Sequence, residues 1–302
     1  VGNVAASRNT LPILANVLIK AVDDQIQLAA TDLEVGIRSV VQGEIVGPGS
    51  ITIPAKKLGD IVRELPTNTS SGEPAKVRLT TQANDRVEIE CENAKFRILG
   101  LADEEFPNLP DVKGDFFTLN AGILCNMIQR TFFAVSTEET RHFLNGIYFL
   151  INNEAVKLVA TDGKRLAVTI TDAPEQKIKK EIGVIVPNKA VSNVLRTFTD
   201  GQQVKIAILE NQIAFASQDM TLISRLIEGE YPDYEAIISP AIGNEIKMTA
   251  DTEQLLSVVR RVSLLANPRT PSIRMESKAA STGTELNVSA STPELGEAQE
   301  RM

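Results

Sequence analysis

The sequence predicts an α+β chain of repeated domains, each a mainly antiparallel sheet carrying two amphipathic helices. Three observations predict it. The stretch Leu158-Val-Ala-Thr-Asp-Gly-Lys-Arg-Leu-Ala-Val168 reads as strand, tight turn at Asp162-Gly163 and strand. Leu28-Ala-Ala-Thr-Asp-Leu-Glu34 repeats its apolar run and its Thr-Asp, with Thr31 and Thr161 lying 130 residues apart. Helix patterns led by proline also recur, Ile51-Thr-Ile-Pro-Ala-Lys-Lys-Leu58 against Val184-Ile-Val-Pro-Asn-Lys-Ala-Val191.

Two further matches extend the series. Phe106-Pro-Asn-Leu-Pro-Asp111 matches Tyr231-Pro-Asp-Tyr-Glu235, and the segment 117–132 matches 247–262. The period is far longer than that of solenoid or propeller units, so each copy is a domain in its own right. The expected divisions are 1–112, 113–243 and 244–302. The first copy enters after the equivalent of its opening helix, and the third stops after the strand pattern 286–290. The expectation is a fragment lacking one helix at the front and about half a domain at the back, judged from the repeat period.

Taken in order, Val17–Ala21 and Gln25–Leu28 alternate around the turn Asp23-Asp24, followed by a strand pattern within 33–46. Ala55–Leu65 reads as a helix led by Pro54 and stopped before Pro66. Residues 67–75 are rich in Thr, Ser, Asn and Gly and form a loop. Val77–Thr80 and Arg86–Glu92 alternate with charges toward solvent. The second copy runs helix 120–133, strands, helix 188–198, strands and closing segment; the third opens with a helix at 251–266.

Net charge is −8 with a pI near 5.0, which taken alone argues against nucleic-acid binding. The charges are segregated, however. The four helices carry eight basic against four acidic side chains, leaving the remainder of the chain more acidic still. Helices that repeat Lys at the start and Arg near the end fit one shared basic surface, which attracts phosphate without reading sequence. Solvated helix faces are the plainer reading of any single one of them. Cys91 and Cys125 fall on a strand and an apolar helix face, as expected of free thiols in a reducing cytosol. No signal-like segment opens the chain and no apolar run reaches membrane-spanning length, so a cytoplasmic location is expected.

Catalytic constellations do not assemble. His142 is the sole histidine, so no Ser–His–Asp or Cys–His set can be built beyond it. Gly163-Lys164 matches only the end of a phosphate-binding loop, without the upstream glycine or the following Ser/Thr. Asp103, Glu104 and Glu105 are adjacent acids on a loop rather than carboxylates converging from strands. The expectation is no active site, no metal and no cofactor.

The motifs Thr-Leu-Pro-Ile-Leu at 10–14, Ala-Thr-Asp-Gly-Lys-Arg-Leu-Ala-Val at 160–168 and Glu-Tyr-Pro-Asp-Tyr at 230–234, set in a threefold repeat, resemble the bacterial DNA polymerase III beta subunit family, the sliding clamps. The resemblance covers essentially the whole chain. It implies three DNA-clamp domains per protomer and a head-to-tail homodimer. The ring so formed would encircle duplex DNA, helices inside and sheets outside, and tether the polymerase without breaking any bond.

Residue roles follow from the same resemblance. A pocket for Gln-Leu-x-Leu-Phe type peptides of polymerases, the clamp loader and repair proteins maps to Arg141, Leu144, Thr161, Gly163, Arg165, Leu166, Pro232 and Ile237. Lys164 stands where many relatives have histidine. DNA-facing positions are Arg8, Lys56, Arg63, Lys189 and Arg196, with Glu235 and Ala236 where relatives often carry basic residues. The ring interface maps to Phe96 and Ile98 meeting Leu264 and Leu265, with Glu294, Glu297 and Glu300 as rim charges. The alternative is a non-ring scaffold of repeated domains whose Gly163 groove binds peptides; an enzyme is the third reading.

Overall fold

Alternating apolar positions form antiparallel strands through most of the chain. The computed structural model describes all residues except 6–10, 23, 113, 244–247, 269 and 281–282. The described chain makes two compact units, Val1–Pro232 and Asp233–Met302. In the first unit, β1 (Asn16–Val22), β2 (Gln25–Thr31), β3 (Val35–Val41) and β4 (Gly49–Pro54) give way to α1 (Ala55–Glu64). Then come β5 (Arg78–Gln82), β6 (Arg86–Cys91), β7 (Ala94–Leu99), β8 (Phe116–Asn120) and α2 (Ala121–Phe132). A 3-10 helix (Glu139–Leu144) leads into β9 (Gly146–Ile151), β10 (Ala155–Thr161), β11 (Leu166–Asp172), β12 (Ile182–Pro187) and α3 (Asn188–Thr197). β13 (Gln203–Ile208), β14 (Gln212–Ala216) and β15 (Met220–Arg225) close the unit.

Both proline-led helices start where expected, directly after Pro54 and Pro187, whose fixed φ suits a helix entry. The side chain of Asn120 caps α2 by accepting the Gly122 and Ile123 N–H groups at 2.8 and 3.3 Å. Inside the unit, Leu124, Met127 and Ile128 of α2 and Val191 and Val194 of α3 join Phe149 and Phe215 in one core. Those two rings meet edge to face at 6.3 Å. Each such large side chain contributes about 1.5–3 kcal/mol by leaving water.

Sheet order shows how the first two copies are joined. β4-β1-β2-β3 of the first copy continues into β15-β14-β13-β8 of the second, making one eight-stranded sheet. The seam is the β3–β15 pairing, from Val35↔Ser224 to Ser39↔Met220. The second copy also has its own sheet, β11-β10-β9-β12, and the first has β5-β6-β7.

The second unit holds α4 (Glu235–Ile242), α5 (Thr252–Val262) and the sheet β16 (Arg274–Ala280), β17 (Gly283–Thr292) and β18 (Gly296–Arg301). Val258 and Val262 of α5 pack on Leu286, Val288 and Ala290 of β17. Asp251 caps α5 through the Gln254 N–H at 2.8 Å.

Several local expectations are corrected. The pattern at 33–46 yields only β3, and the helix expected over 251–266 ends at Val262, followed by a 3-10 turn Ser263–Leu265. α4 was not anticipated, because Pro240 lies inside it and breaks the helical pattern in sequence. Of the expected Asp23-Asp24 turn, Asp23 lies outside the described residues, while Asp24 has φ +59°. The two-residue turn at Asp162-Gly163 is in fact a four-residue loop, described next.

Candidate functional site

The β2–β3 and β10–β11 connections are the same loop made twice. Pairing stops at Thr31↔Gly36 and at Thr161↔Leu166, leaving four residues between. In the second copy Thr161 Oγ1 donates to the Arg165 carbonyl at 2.7 Å and accepts the Gly163 N–H at 3.0 Å. Asp162 Oδ1 accepts the Lys164 and Arg165 N–H groups at 2.9 and 3.0 Å. In the first copy Thr31 and Asp32 make the corresponding four bonds to Leu33, Glu34 and Val35. Thr-Asp encodes this loop because both short side chains satisfy backbone groups that a strand ladder leaves open. The third residue is left-handed in each, Leu33 at φ +78° and Gly163 at φ +85°.

The copies differ in what surrounds the loop. In the first, Leu109 lies over Gly36; a Cβ at 36 would stand 2.5 Å from Leu109 Cδ2. In the second, the corresponding position is Leu166, and the guanidinium of Arg141 lies over Gly163, with Nη1 2.6 Å from where a Cβ would be. Arg141 sits in the 3-10 helix with φ −119° and ψ 60°, off helical geometry. Its Nη2 donates to Glu138 Oε2 at 2.7 Å and to the Asp162 carbonyl at 3.3 Å. Gly163 therefore meets two demands, a left-handed backbone and room for the guanidinium.

Arg165 lies 5.6 Å from the centre of the exposed Phe133 ring and pairs with Asp162 Oδ2 at 3.0 Å. Backbone N–H bonds, then the Arg165 side chain, hold the Asp162 carboxyl below its ordinary value. Leu144 is buried in packing, whereas Leu166 and Pro232 are half-buried. Tyr231, beside Pro232, stacks flat on Tyr148 at 4.8 Å and donates to the Val159 carbonyl at 3.3 Å. Burial pushes the Tyr231 phenol up to about 12. Ile237 belongs to the other unit, exposed on α4. Glu138, Phe133 and the tyrosine pair escaped the sequence reading, because no local pattern ties Tyr148 to Tyr231.

Lys56 and Arg196 are exposed and, among the described residues, without an ion pair. Arg63 pairs with Asp60 at 3.1 Å, and Lys189 is held by the buried carboxylate of Asp32. Arg8 lies outside the described residues. Arg63, Arg130, Arg196 and the pair Arg260 and Arg261 all stand in the last turn of their helices, where a cation also opposes the helix dipole.

Models of two domains of the DNA polymerase III beta subunit match the chain, the N-terminal domain over residues 1–110 and the central domain over 118–233. The beta sliding clamp of Chlamydia muridarum is 32% identical over 304 residues, covering all of this chain and 79% of the relative. The chain belongs to the beta sliding clamp family. That of Bacillus subtilis is 31% identical over 98% of this chain and 78% of the relative. The solved Bartonella birtlesii clamp bound to griselimycin superposes with a TM-score of 0.88 at 35% identity, covering 100% of this chain and 79% of that one. The Pseudomonas aeruginosa clamp, also bound to griselimycin, gives 0.86 at 29% identity with the same coverage.

A DNA sliding clamp acts in DNA replication as a processivity factor, with DNA and the polymerase as partners, and this is the function the family establishes. The non-ring scaffold finds no support in these likenesses. Among the described residues of the clamp chain no group of three or more His, Cys, Asp or Glu could hold a metal ion. Nor is any described helix long and apolar enough to cross a membrane.

The residues expected at a clamp interface are placed as follows. Phe96 and Ile98 are half-buried on β7 and pack on Ile51, Ile53, Val87 and Ile89. Leu264 is 78% exposed and Leu265 half-buried. Glu294 and Glu297 are exposed, but Glu300 is engaged by Arg261 in a two-pronged pair at 2.5 and 2.9 Å. Arg261 holds the Glu300 carboxyl below its usual value.

Proposed function

We propose that this clamp closes as a head-to-tail homodimer around duplex DNA, with three domains per protomer divided near 112 and 243. The exposed cations Lys56, Arg63 and Arg196 then face the phosphates, and Phe96, Ile98, Leu264 and Leu265 form the apolar centre of the ring seam, with Glu294 and Glu297 at its rim. Contacts to phosphate favour no register, which suits sliding. The chain works in the cytoplasm, without a cofactor, and breaks no bond itself.

Partners dock through a Gln-Leu-x-Leu-Phe type peptide beside Gly163, with Arg141, Leu144, Thr161, Arg165, Leu166 and Pro232 as its contacts. The observation that carries this reading is the contrast between the twin loops. An apolar side chain, Leu109, lies over the first loop at Gly36, while the charged guanidinium of Arg141 lies over the second at an exposed Gly163. Griselimycin-bound relatives are consistent with a ligand site on clamps of this type.

The test loads the protein onto a nicked circular plasmid with its clamp loader, then raises the salt. Retention on the circle and release on linearisation is the expected outcome, since salt screens phosphate contacts but does not open a ring. Loss from the intact circle at high salt would overturn the ring.

A further inference from the structure

We propose that the open edge of β12 is a second docking site, for an extended, basic peptide segment of a partner protein. β12 is the edge strand of the sheet β11-β10-β9-β12. On the side away from β9, it is held at one point, where the Ile185 carbonyl accepts the Ile227 N–H at 2.9 Å. Residues two apart on a strand present their amide and carbonyl to the same side. Those of Gly183 therefore open in the same direction as Ile185, and among the described residues nothing bonds them there. Beside them is a cleft of about 560 Å³, lined among others by Tyr148, Val184, Leu226 and Ile227.

The first copy has the same edge. There β4 stands where β12 does, and Thr52 and Leu101 exchange both backbone bonds at 2.9 Å. Thr52 is the counterpart of Ile185, each lying two residues before its helix-leading proline, so both edges are held at one equivalent point. Beyond that point the second copy turns away through Glu228 and a left-handed Gly229 at φ +133°. Gly183 is left as an unpaired strand edge, the feature that accepts an added strand.

Charge selects the occupant. Glu210 and Glu228 line the cleft, both exposed and, among the described residues, neither ion-paired. Glu181 sits at the outer end of β12, accepting from Asn152 at 2.9 Å. An extended peptide with basic side chains alternating with apolar ones places its backbone on Gly183, its apolar side chains on the half-buried Leu226 and Ile227, and its cations between the glutamates. A side chain at 183 would strike the Tyr148 hydroxyl, so glycine leaves room for the tyrosine that lines the cleft.

The test titrates a labelled octapeptide of alternating valine and lysine into the protein, with anisotropy for affinity and NMR for the Gly183 and Gly163 amides. Binding should shift the Gly183 signal and protect its amide from exchange. The exposed double variant E210K/E228K, checked for an unchanged melting temperature, should weaken binding by about tenfold or more. A valine–glutamate octapeptide should not bind. Binding that shifts Gly163 alone, binding untouched by E210K/E228K, or no binding at all would overturn the proposal. None of these outcomes bears on the Gly163 pocket, whose own peptide is titrated separately.

Discussion

Lys189, on α3 of the second copy, ends on the carboxylate of Asp32 in the β2–β3 loop of the first. The Asp32 side chain is 5% exposed and that of Lys189 is 49% exposed. Asp32 Oδ1 is occupied by the Glu34 and Val35 N–H groups, so the ammonium is what balances Oδ2. A residue expected to face DNA thus also ties two copies together beside the β3–β15 seam.

Removing this cation strands a buried carboxylate. Lys189→Met should cost about 1–3 kcal/mol, below the 3–5 of a fully buried pair because the lysine is half in water. Urea denaturation of Lys189→Met, Asp32→Asn and the double variant checks it. Additive losses would show that the two side chains do not act as a pair.

Gly163→Ala combines a left-handed backbone with a collision against Arg141. The strain should lower stability by about 1–2 kcal/mol and abolish partner-peptide binding. Adding Arg141→Ala should return part of the stability, since it removes the collision but not the strained φ. Differential scanning calorimetry and peptide titration read the two effects separately.

Tyr231 makes stability fall at high pH. Its folded pKa of about 12 stands above the ordinary phenol value of 10.0, so the folded state keeps its proton while the unfolded state loses it. The contribution is complete below pH 10 and is lost as pH rises toward 12. Tyrosinate absorbance should show a late-titrating phenol that Tyr231→Phe removes.

Asp162 works in the opposite sense. Its depressed carboxyl contributes stability above the ordinary aspartate value of 3.8, and the contribution is lost as pH falls through the lower folded value. A carbon-detected NMR titration should place its midpoint below 3.8. A midpoint at or above that value would show that the loop bonds do not favour the charged form.

Leu264 separates folding from assembly. At 78% exposure, Leu264→Ala should change stability by no more than about 0.5 kcal/mol yet shift the protein from dimer toward monomer in sedimentation. Ile98→Ala is the contrasting case, since Ile98 also packs on Ile51 and Val87 and its loss should lower the melting temperature.

Much of the fold was legible because its signals are local. Pro54 and Pro187 mark helix starts by backbone geometry, and Thr-Asp marks a loop whose bonds close within five residues. The loop's size was misread because Asp-Gly also suits a two-residue turn, and the choice between them is made by where strand pairing stops at Thr161↔Leu166. At the site, Gly163 and Arg165 were legible through the motif at 160–168, and Arg141 only through the family resemblance. Phe133 and Glu138, which orient two of them, carried no signal beyond ordinary surface residues.

The amino-acid sequence alone determined the repeat, the class of fold, the starts of α1, α2, α3 and α5 and the family, because periodicity and short-range hydrogen bonding are written in neighbouring residues. Tertiary structure alone decided that β3 joins β15, that Lys189 answers Asp32, that Arg261 engages Glu300 and that Ile227 meets the β12 edge at Ile185. Each of these rests on groups far apart in the chain. Their meeting depends on the packing of whole sheets, and no spacing along the sequence encodes it.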